Sequence, residues 1–480
     1  MSDNTFSFSA TETGYNHLKI NKVCEDSSGF YDDESMHICV VADGHGSDNY
    51  PRTDRGSKLA VEAAIKCCKD FVGIADPKDV LEDENNNYDL LMQLAKSILR
   101  EWHQAVEEDY KEYPFIEDEL VNVSEKYKTK YLSDNEDERN VQKAYGCTLI
   151  LFVETKGYSF GMQIGDAKSV AIDEDGESIE PIPWDENCQL NVTTSICDSD
   201  AIEEFRYFVS KDSPVAVFCG SDGIDDSYAN PDELYALYRS ILKIFIEHGR
   251  EVGQNEIKEY LPVLTKKGSG DDVSIATIVD AQRLKQMAAI LDLRAELFKK
   301  VEEEKEVNHS ADVLAEQRSN LMKKVQSIAT NILDVPDDAI IKLKQLEQEV
   351  KDKEARLSEI ELEKKDIENQ IYGINKEKAS DLVKDNKLVG ENNNKTEESV
   401  ELSGAAVKTK PKKKSTESNK QQKEPVVDNV STDVRVMPST TTQLSGTFNN
   451  ILKASPQNVV QNEKESIAIE KDSDNCQKDK

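Results

Sequence analysis

The apolar positions along the chain fall into two regimes. Up to about residue 280 they come in short runs separated by turn residues, with helical stretches between them. Met36–Ala42 is an apolar run closed by Asp-Gly, the pattern of a buried strand that ends in a turn. Asp54 to Phe71 has helical spacing through Leu59, Ala63 and Ala64, with Asp54 as the expected N-terminal cap. A second helix is predicted from about Tyr88 to Tyr110, with Leu91, Leu94, Ala95, Ile98, Leu99 and Trp102 on one side. Glu117 to Asn140 is strongly acidic and reads as an exposed insertion. Cys147–Val153 and Tyr158–Ile164, joined by Glu154-Thr155-Lys156-Gly157, predict a hairpin. Lys168–Ile172, followed by the turn Asp173–Gly176, predicts a third strand of the same meander. Val215–Cys219 and Val273–Val279 are further strand candidates. Pro231 to His248 fits a helix between them, with Pro231 in its first turn.

After Asp280 the period changes. Leu343, Val350, Leu357, Lys364 and Ile371 recur every seven residues, and Leu346, Lys353, Ile360, Ile367 and Ile374 form the offset series. Eight of these ten positions are apolar, which predicts a coiled coil that self-associates or folds back antiparallel on the preceding helix, Leu284–Ile332. The short break at Asp334–Asp338 favours the hairpin, and the seam lysines Lys353 and Lys364 favour a specific register or partner. Periodicity is gone from about Glu391, where the polar composition predicts disorder. The chain thus divides into a strand-rich domain at 1–280, a helical coiled-coil region at 281–378 and a disordered polar tail at 379–480.

Charge and cysteine content narrow the function. A net charge of −34 excludes sequence-independent nucleic-acid binding, which needs Lys and Arg to displace counterions. The short basic run Lys408 to Lys414 reads as a solvated linker. The nine cysteines are scattered without zinc-ligand spacing. Met1–Ala10 has no apolar core of the signal-peptide kind, and no stretch of about 18 apolar residues could span a bilayer. Reduced thiols in a cytoplasmic protein, with no membrane and no nucleic acid as partners, are the expectation.

The candidate chemistry lies in five acidic motifs, each beside a strand-like run. They are Cys24-Glu25-Asp26, Asp43-Gly44-His45-Gly46, Gly165-Asp166-Ala167-Lys168, Ser221-Asp222-Gly223 and Gly270-Asp271-Asp272-Val273-Ser274. One Asp-Gly after a strand is ordinarily a turn, and a charged pair such as Asp271-Asp272 is ordinarily solvated. Five such motifs in one domain can converge on one rim of a sheet. Hard carboxylate oxygens gathered there suit Mg²⁺ or Mn²⁺ rather than Zn²⁺. His45 adds a group able to move protons near neutral pH. His17 reads first as a hydrogen-bonded structural histidine, and Cys24 as a small buried residue rather than a nucleophile.

In their order, Glu-Asp, Asp-Gly-His-Gly, Gly-Cys-Thr, Gly-Asp-Ala-Lys, Ser-Asp-Gly and Asp-Asp-Val-Ser resemble the type 2C metal-dependent protein serine/threonine phosphatases. Gly14-Tyr15-Asn16-His17 through Cys24-Glu25-Asp26, and Asn191 to Ile196, resemble the bacterial branch. The resemblance covers about residues 5 to 280. It implies an α+β fold, a central antiparallel β-sandwich flanked by helices in four αββα layers, with the helical coiled coil and disordered tail following. It implies hydrolysis of phosphoserine or phosphothreonine in phosphoprotein substrates by a metal-activated water, without a phosphoenzyme. Asp43 would bridge two divalent ions, Mn²⁺ or Mg²⁺, and the Gly44 carbonyl would ligate one. Asp222 and Asp271 would hold the second, Asp26 would act directly or through water, and Asp166 would belong to a third, weaker ion. His45 would protonate the leaving oxygen.

Two departures stand out. Asn21 lies where many relatives carry a phosphate-binding arginine, leaving Lys19 or Lys22 as substitutes, with a solvated surface lysine the plainer reading of each. Asp225-Asp226 stands where relatives often have Trp-Asp. Two competing readings are a catalytically weak pseudophosphatase that acts as a binding or scaffold protein, and a coiled coil that is the main functional part, with the phosphatase domain a regulator within a larger assembly.

Overall fold

The computed structural model describes residues 5–81, 84–133, 135, 139–188, 192–330 and 336–393. Ten strands occur among them: β1 (Thr5–Glu12), β2 (Ser27–Asp32), β3 (Met36–Ala42), β4 (Leu149–Thr155), β5 (Ser159–Ile164), β6 (Lys168–Ile172), β7 (Ser178–Ile179), β8 (Arg206–Ser210), β9 (Ala216–Gly220) and β10 (Val273–Asp280). The helices are α1 (Tyr15–Ile20), α2 (Thr53–Ile74), α3 (Pro77–Leu81), α4 (Glu84–Glu112), α5 (Glu125–Tyr131), α6 (Ala201–Glu204), α7 (Asp222–Asp225), α8 (Pro231–Lys267), α9 (Ala281–Gln286), α10 (Ala288–Thr330) and α11 (Asp337–Asn393).

The strands form two antiparallel five-stranded sheets, β1-β10-β9-β6-β7 and β2-β3-β4-β5-β8. The apolar runs at β3, β4 and β10 are buried at every residue, because each is covered on both faces. Between the sheets, Cys39, Val41, Ile150, Phe152, Val217, Cys219, Ala276 and Ile278 make one core layer. Outside the second sheet, α2 and α4 pack Ala60, Ala64, Cys68, Leu91, Ile98 and Trp102 against it. Outside the first, α8, α9 and the start of α10 supply Leu237, Ile241, Leu284, Met287 and Leu291. The fold is the four-layer αββα sandwich expected from the sequence.

Several local expectations are corrected. Lys168–Ile172 does not extend the β4–β5 meander, because β6 crosses to the other sheet and pairs with β9, while β8 takes the place beside β5. The acidic insertion is not simply exposed: Leu120, Val123 and Tyr131 are buried, and α5 packs Tyr127 and Tyr131 onto Tyr50 and Phe115. Arg52 fastens it, pairing with both carboxylate oxygens of Glu119 at 3.0 and 2.8 Å and donating to the Tyr113 carbonyl at 2.6 Å. Asp54 is not the cap of α2, which begins after Arg52 and has no side-chain cap. The helix from Pro231 is capped by Asn230 and breaks after His248 as expected, where non-helical Gly249 (φ 77°) kinks the chain; a second helical stretch that the sequence reading did not anticipate then continues to Lys267.

The strand-rich core does not stop at residue 280 either, since Leu284, Met287 and Leu291 are part of it. Beyond them α10 and α11 run antiparallel, with Ile290 against Ile367 and Ile371 near one end and Glu303 paired with Arg356 further along. The heptad positions Leu346, Val350, Ile360, Ile367 and Ile371 are buried, and Ile367 and Ile371 cluster with Ile290. Lys364, one of the two lysines of the heptad series, bonds Glu304 at 2.6 Å. α11 is helical to Asn393, and the remainder of the expected disordered tail lies outside the described residues. No helix among the described residues is long and apolar enough to cross a membrane. The eight described cysteines are all free thiols.

Candidate active site

Strand register brings the acidic motifs to one end of the sandwich. Ser27 pairs with Ala42, so Asp26 and Asp43 are next to one another where β2 begins and β3 ends. Gly220 of β9 pairs with Lys168 of β6 and with Ile275 of β10, so Asp222, Asp166 and Asp271 reach the same end from the other sheet. Gly44 bridges to Cys147, and a Cβ at Gly44 would come within 2.4 Å of the Glu25 carbonyl, so only glycine lets these segments close.

The Gly-Cys-Thr motif earns its place by holding Asp43: Thr148 N–H donates to the Asp43 carbonyl at 2.8 Å, and its Oγ1 accepts from the Asp43 N–H at 3.2 Å. Asp272, one residue past the expected ligand, is a joint. It is 3 % exposed and accepts from the N–H groups of Gly14 and Glu25 at 2.6 Å each and from His17 Nδ1 at 2.9 Å. His17 therefore has the structural partner its bland reading called for, although its Nε2 also lies 3.8 Å from Asp271 and 3.9 Å from Glu25.

Electrostatically the site is starved of positive charge. Burial, with the charges of Asp272 and Asp222, pushes the Asp26 carboxyl up to about 8. Burial and the charges of Asp222 and Asp26 hold Asp43 far above the carboxylate range. Asp222 is pushed up to about 6 by burial and by Asp166 and Asp271. Asp166 is raised by burial, with Asp185 adding to it. Asp26 Oδ2 is buried without a hydrogen-bond partner, an arrangement that costs stability unless something else meets that oxygen. Clustered carboxylates that raise one another's pKa, one of them buried with an oxygen that has no hydrogen-bond partner among the described residues, fit hard divalent ions and do not fit an uncharged ligand.

Among the remaining sequence candidates, Lys22 and Lys19 part company. Asn21 ends α1 in the left-handed region (φ 54°), and Lys22 then reaches Glu25 at 2.7 Å and the Gly46 carbonyl at 3.0 Å, beside the His45 loop. Lys19 turns back onto Asn16 and the Tyr15 ring of its own helix. Cys24 is no nucleophile, since burial and Asp272 drive its thiol strongly upward. His45 is enclosed, with Tyr50 edge-on at 4.6 Å and Ser195 Oγ at 2.7 Å from Nε2, and burial lowers it to about 4, so its resting form is neutral. Lys168 pairs with Asp225 at 2.7 Å, so the first carboxylate of the Asp225-Asp226 departure has a charge partner beside Asp166. Sequence reasoning passed over Thr148, Asp272 and Ser195, whose roles depend on segments distant in the chain.

A family model described as Protein phosphatase 2C matches residues 13–262, more than half of the chain. No curated protein matches the sequence. Solved structures similar to this chain include the serine/threonine phosphatase Stp1 from Staphylococcus aureus, at 14 % identity and a TM-score of 0.36 over 57 % of this chain and 94 % of that one. The catalytic domain of the serine threonine protein phosphatase PstP with two manganese ions gives 13 % identity and 0.34, over 57 % and 97 %. RsbX in complex with magnesium gives 12 % and 0.33, over 58 % and 96 %.

Proposed function

The chain belongs to the protein phosphatase 2C family, and on that premise we propose that it hydrolyses phosphoserine or phosphothreonine in proteins, with the following residue-by-residue assignment of its site. Asp43, Gly44, Asp222, Asp271 and Asp26 would hold two divalent cations, Mn²⁺ or Mg²⁺, with Asp166 at a third, weaker position. The observation that carries this is the cluster of buried Asp26 with the half-buried Asp43 and Asp222, whose carboxyls are all held above the ordinary carboxylate range by desolvation and by one another's charge. When bound, such ions supply Lewis acidity, which lowers the pKa of water at the site and offsets the phosphate charge.

The chain's own residues do the rest. Thr148 fixes Asp43 from both sides of its peptide unit, and Asp272 ties the Gly14, His17 and Glu25 segment to the loop that carries Asp271. Lys22, held over Gly46, is the better placed of the two lysines to meet substrate phosphate where relatives use arginine. His45 exchanges a proton with the leaving seryl or threonyl oxygen. Its neutral resting state requires that it take up a proton before giving one. The α10–α11 hairpin serves assembly or targeting, and the protein acts in the cytoplasm on phosphoproteins.

Turnover of a phosphothreonine peptide by the full chain with Mn²⁺, compared with Asp43→Asn, tests the assignment. Loss of most activity in a folded variant supports it, and unchanged activity overturns it. A wild-type chain that binds Mn²⁺ but hydrolyses neither peptide nor aryl phosphate would be a pseudophosphatase.

A further inference from the structure

The hydroxyl of Ser195 sits among four groups, and their hydrogen bonding decides the state of His45. Ser195 Oγ is 3.0 Å from the Cys147 carbonyl oxygen, which can only accept, and 3.3 Å from the Cys197 N–H, which can only donate. It also lies 3.1 Å from Cys197 Sγ and 2.7 Å from His45 Nε2. A serine hydroxyl has one hydrogen. Spent on the Cys147 carbonyl, that hydrogen leaves Ser195 as the acceptor toward His45, so Nε2 carries a hydrogen. Spent on His45 instead, it would leave two oxygens facing each other at 3.0 Å with nothing between them. The first arrangement places a hydrogen in the contacts to the Cys147 carbonyl, the Cys197 N–H and His45 alike, and the second leaves the Ser195–Cys147 oxygen pair without one.

The packing of the ring agrees. A Cβ on Gly146 would stand 2.8 Å from His45 Cδ2, so the Cδ2–Nε2 edge lies against the Gly146 backbone and Ser195. Tyr50 covers the ring from one side. Nδ1 is on the opposite edge of the imidazole and makes no hydrogen bond to the described residues. We propose that Ser195 is a positioning residue: it accepts the Nε2 hydrogen of His45, fixes the ring, and leaves Nδ1 as the nitrogen through which His45 meets the leaving oxygen of the substrate. The cost of losing it falls on orientation, because Ser195 itself touches no substrate. This deepens the proposed role of His45 and rests on it for its catalytic part alone.

The test uses the full chain with ¹⁵N-labelled histidine, free of metal and then with Mg²⁺, together with Ser195→Ala and Ser195→Thr. The wild-type spectrum should show His45 protonated at Nε2 with a bare Nδ1, and Ser195→Ala should show a mixture of tautomers. On a phosphothreonine peptide, Ser195→Ala should lose roughly 10-fold in kcat with KM little changed, as expected for a misoriented proton-transfer group. An aryl phosphate, whose leaving group needs little protonation, should lose much less, and Ser195→Thr should restore the peptide rate. A wild-type His45 protonated at Nδ1 overturns the proposal, as does a folded Ser195→Ala with unchanged tautomer and peptide kcat. Should Ser195→Ala fail to fold, the wild-type tautomer and the Ser195→Thr rate still decide it. Absence of any turnover by the wild type would count against the phosphatase assignment, while the tautomer would still judge the contact.

Discussion

Asp222→Asn should make the metal-free protein more stable while disabling it. Ionised Asp222 is disfavoured by burial and by neighbouring carboxylates, which raise it from 3.8 to about 6. At about 1.4 kcal/mol per pH unit, this corresponds to roughly 3 kcal/mol. The sign follows from linkage. Below about pH 3.5 the group is neutral whether folded or unfolded and costs almost nothing. The penalty grows as pH rises from about 3.5 to 6 and stays constant above that. Asparagine keeps the shape and carries no charge, so in EDTA the variant should melt above the wild type by about 6–12 °C at pH 7.5, at about 2–4 °C per kcal/mol. The advantage should shrink to about a third near pH 4.5 and toward zero below about pH 3.5. Adding Mn²⁺ should reverse the order, because the wild type gains binding energy that the variant cannot match. Thermal melts at the two pH values, with and without Mn²⁺, make the measurement. A variant that melts at or below the wild type in EDTA at pH 7.5, or keeps its full advantage at pH 4.5, refutes the idea that unmet negative charge dominates the site.

Three further outcomes are expected. Arg52→Ala removes a buried guanidinium that serves Glu119, the Tyr113 carbonyl, Tyr145 Oη and the Phe115 face, and should cost about 3–5 kcal/mol in urea unfolding; a loss below about 1 kcal/mol would show that the insertion is held by its aromatic packing alone. A chain ending at residue 280 lacks the buried side chains of Leu284, Met287 and Leu291 and should lose roughly 5–8 kcal/mol, enough to unfold it, whereas one ending at 300 should fold and retain Mn²⁺-dependent turnover. Ile360→Asp places a charge at a fully buried seam position and should lower helix content by circular dichroism without shifting the melt of the strand-rich domain; unchanged helicity would mean α11 does not need α10.

What the sequence disclosed depended on how local each cause was. The strands β3, β4 and β10 are legible because burial on both faces forces a continuous apolar run. The edge strands β1, β2 and β8 are partly exposed and carry no such run, and they went unread. Nothing near Lys168–Ile172 says which sheet receives it. The crossing is made at Gly165, whose positive φ of 106° only glycine adopts readily, and it is confirmed by pairing with a strand nearly fifty residues later. The burial of Leu346, Val350, Ile360, Ile367 and Ile371 follows the seven-residue spacing, a pattern that needs no distant segment to be read.

The site divides along the same line. A carboxylate beside a strand end declares itself, so Asp26, Asp43, Asp166, Asp222 and Asp271 could be singled out as candidates, and strand register brings them to one end of the sandwich. The groups that make those carboxylates usable could not be singled out in this way. Asp271-Asp272 reads locally as one solvated pair, yet the fold separates the two: the Asp271 side chain is 58 % exposed, while Asp272 is buried under two N–H groups and an imidazole supplied by residues 14 to 25. Ser195 likewise becomes meaningful only against a carbonyl at 147 and a ring at 45. A charged side chain advertises what it can bind, whereas a hydroxyl or a second carboxylate that positions it takes its role wholly from where the chain returns. The substitutions to trust as functional probes here are therefore paired ones, a carboxylate together with the residue that aims it. If Asp272→Asn leaves Asp271 able to support Mn²⁺-dependent turnover at full rate, the joint is structural only; a loss comparable to that of Asp271→Asn, with the fold retained, would show that one residue binds because the other holds the loop.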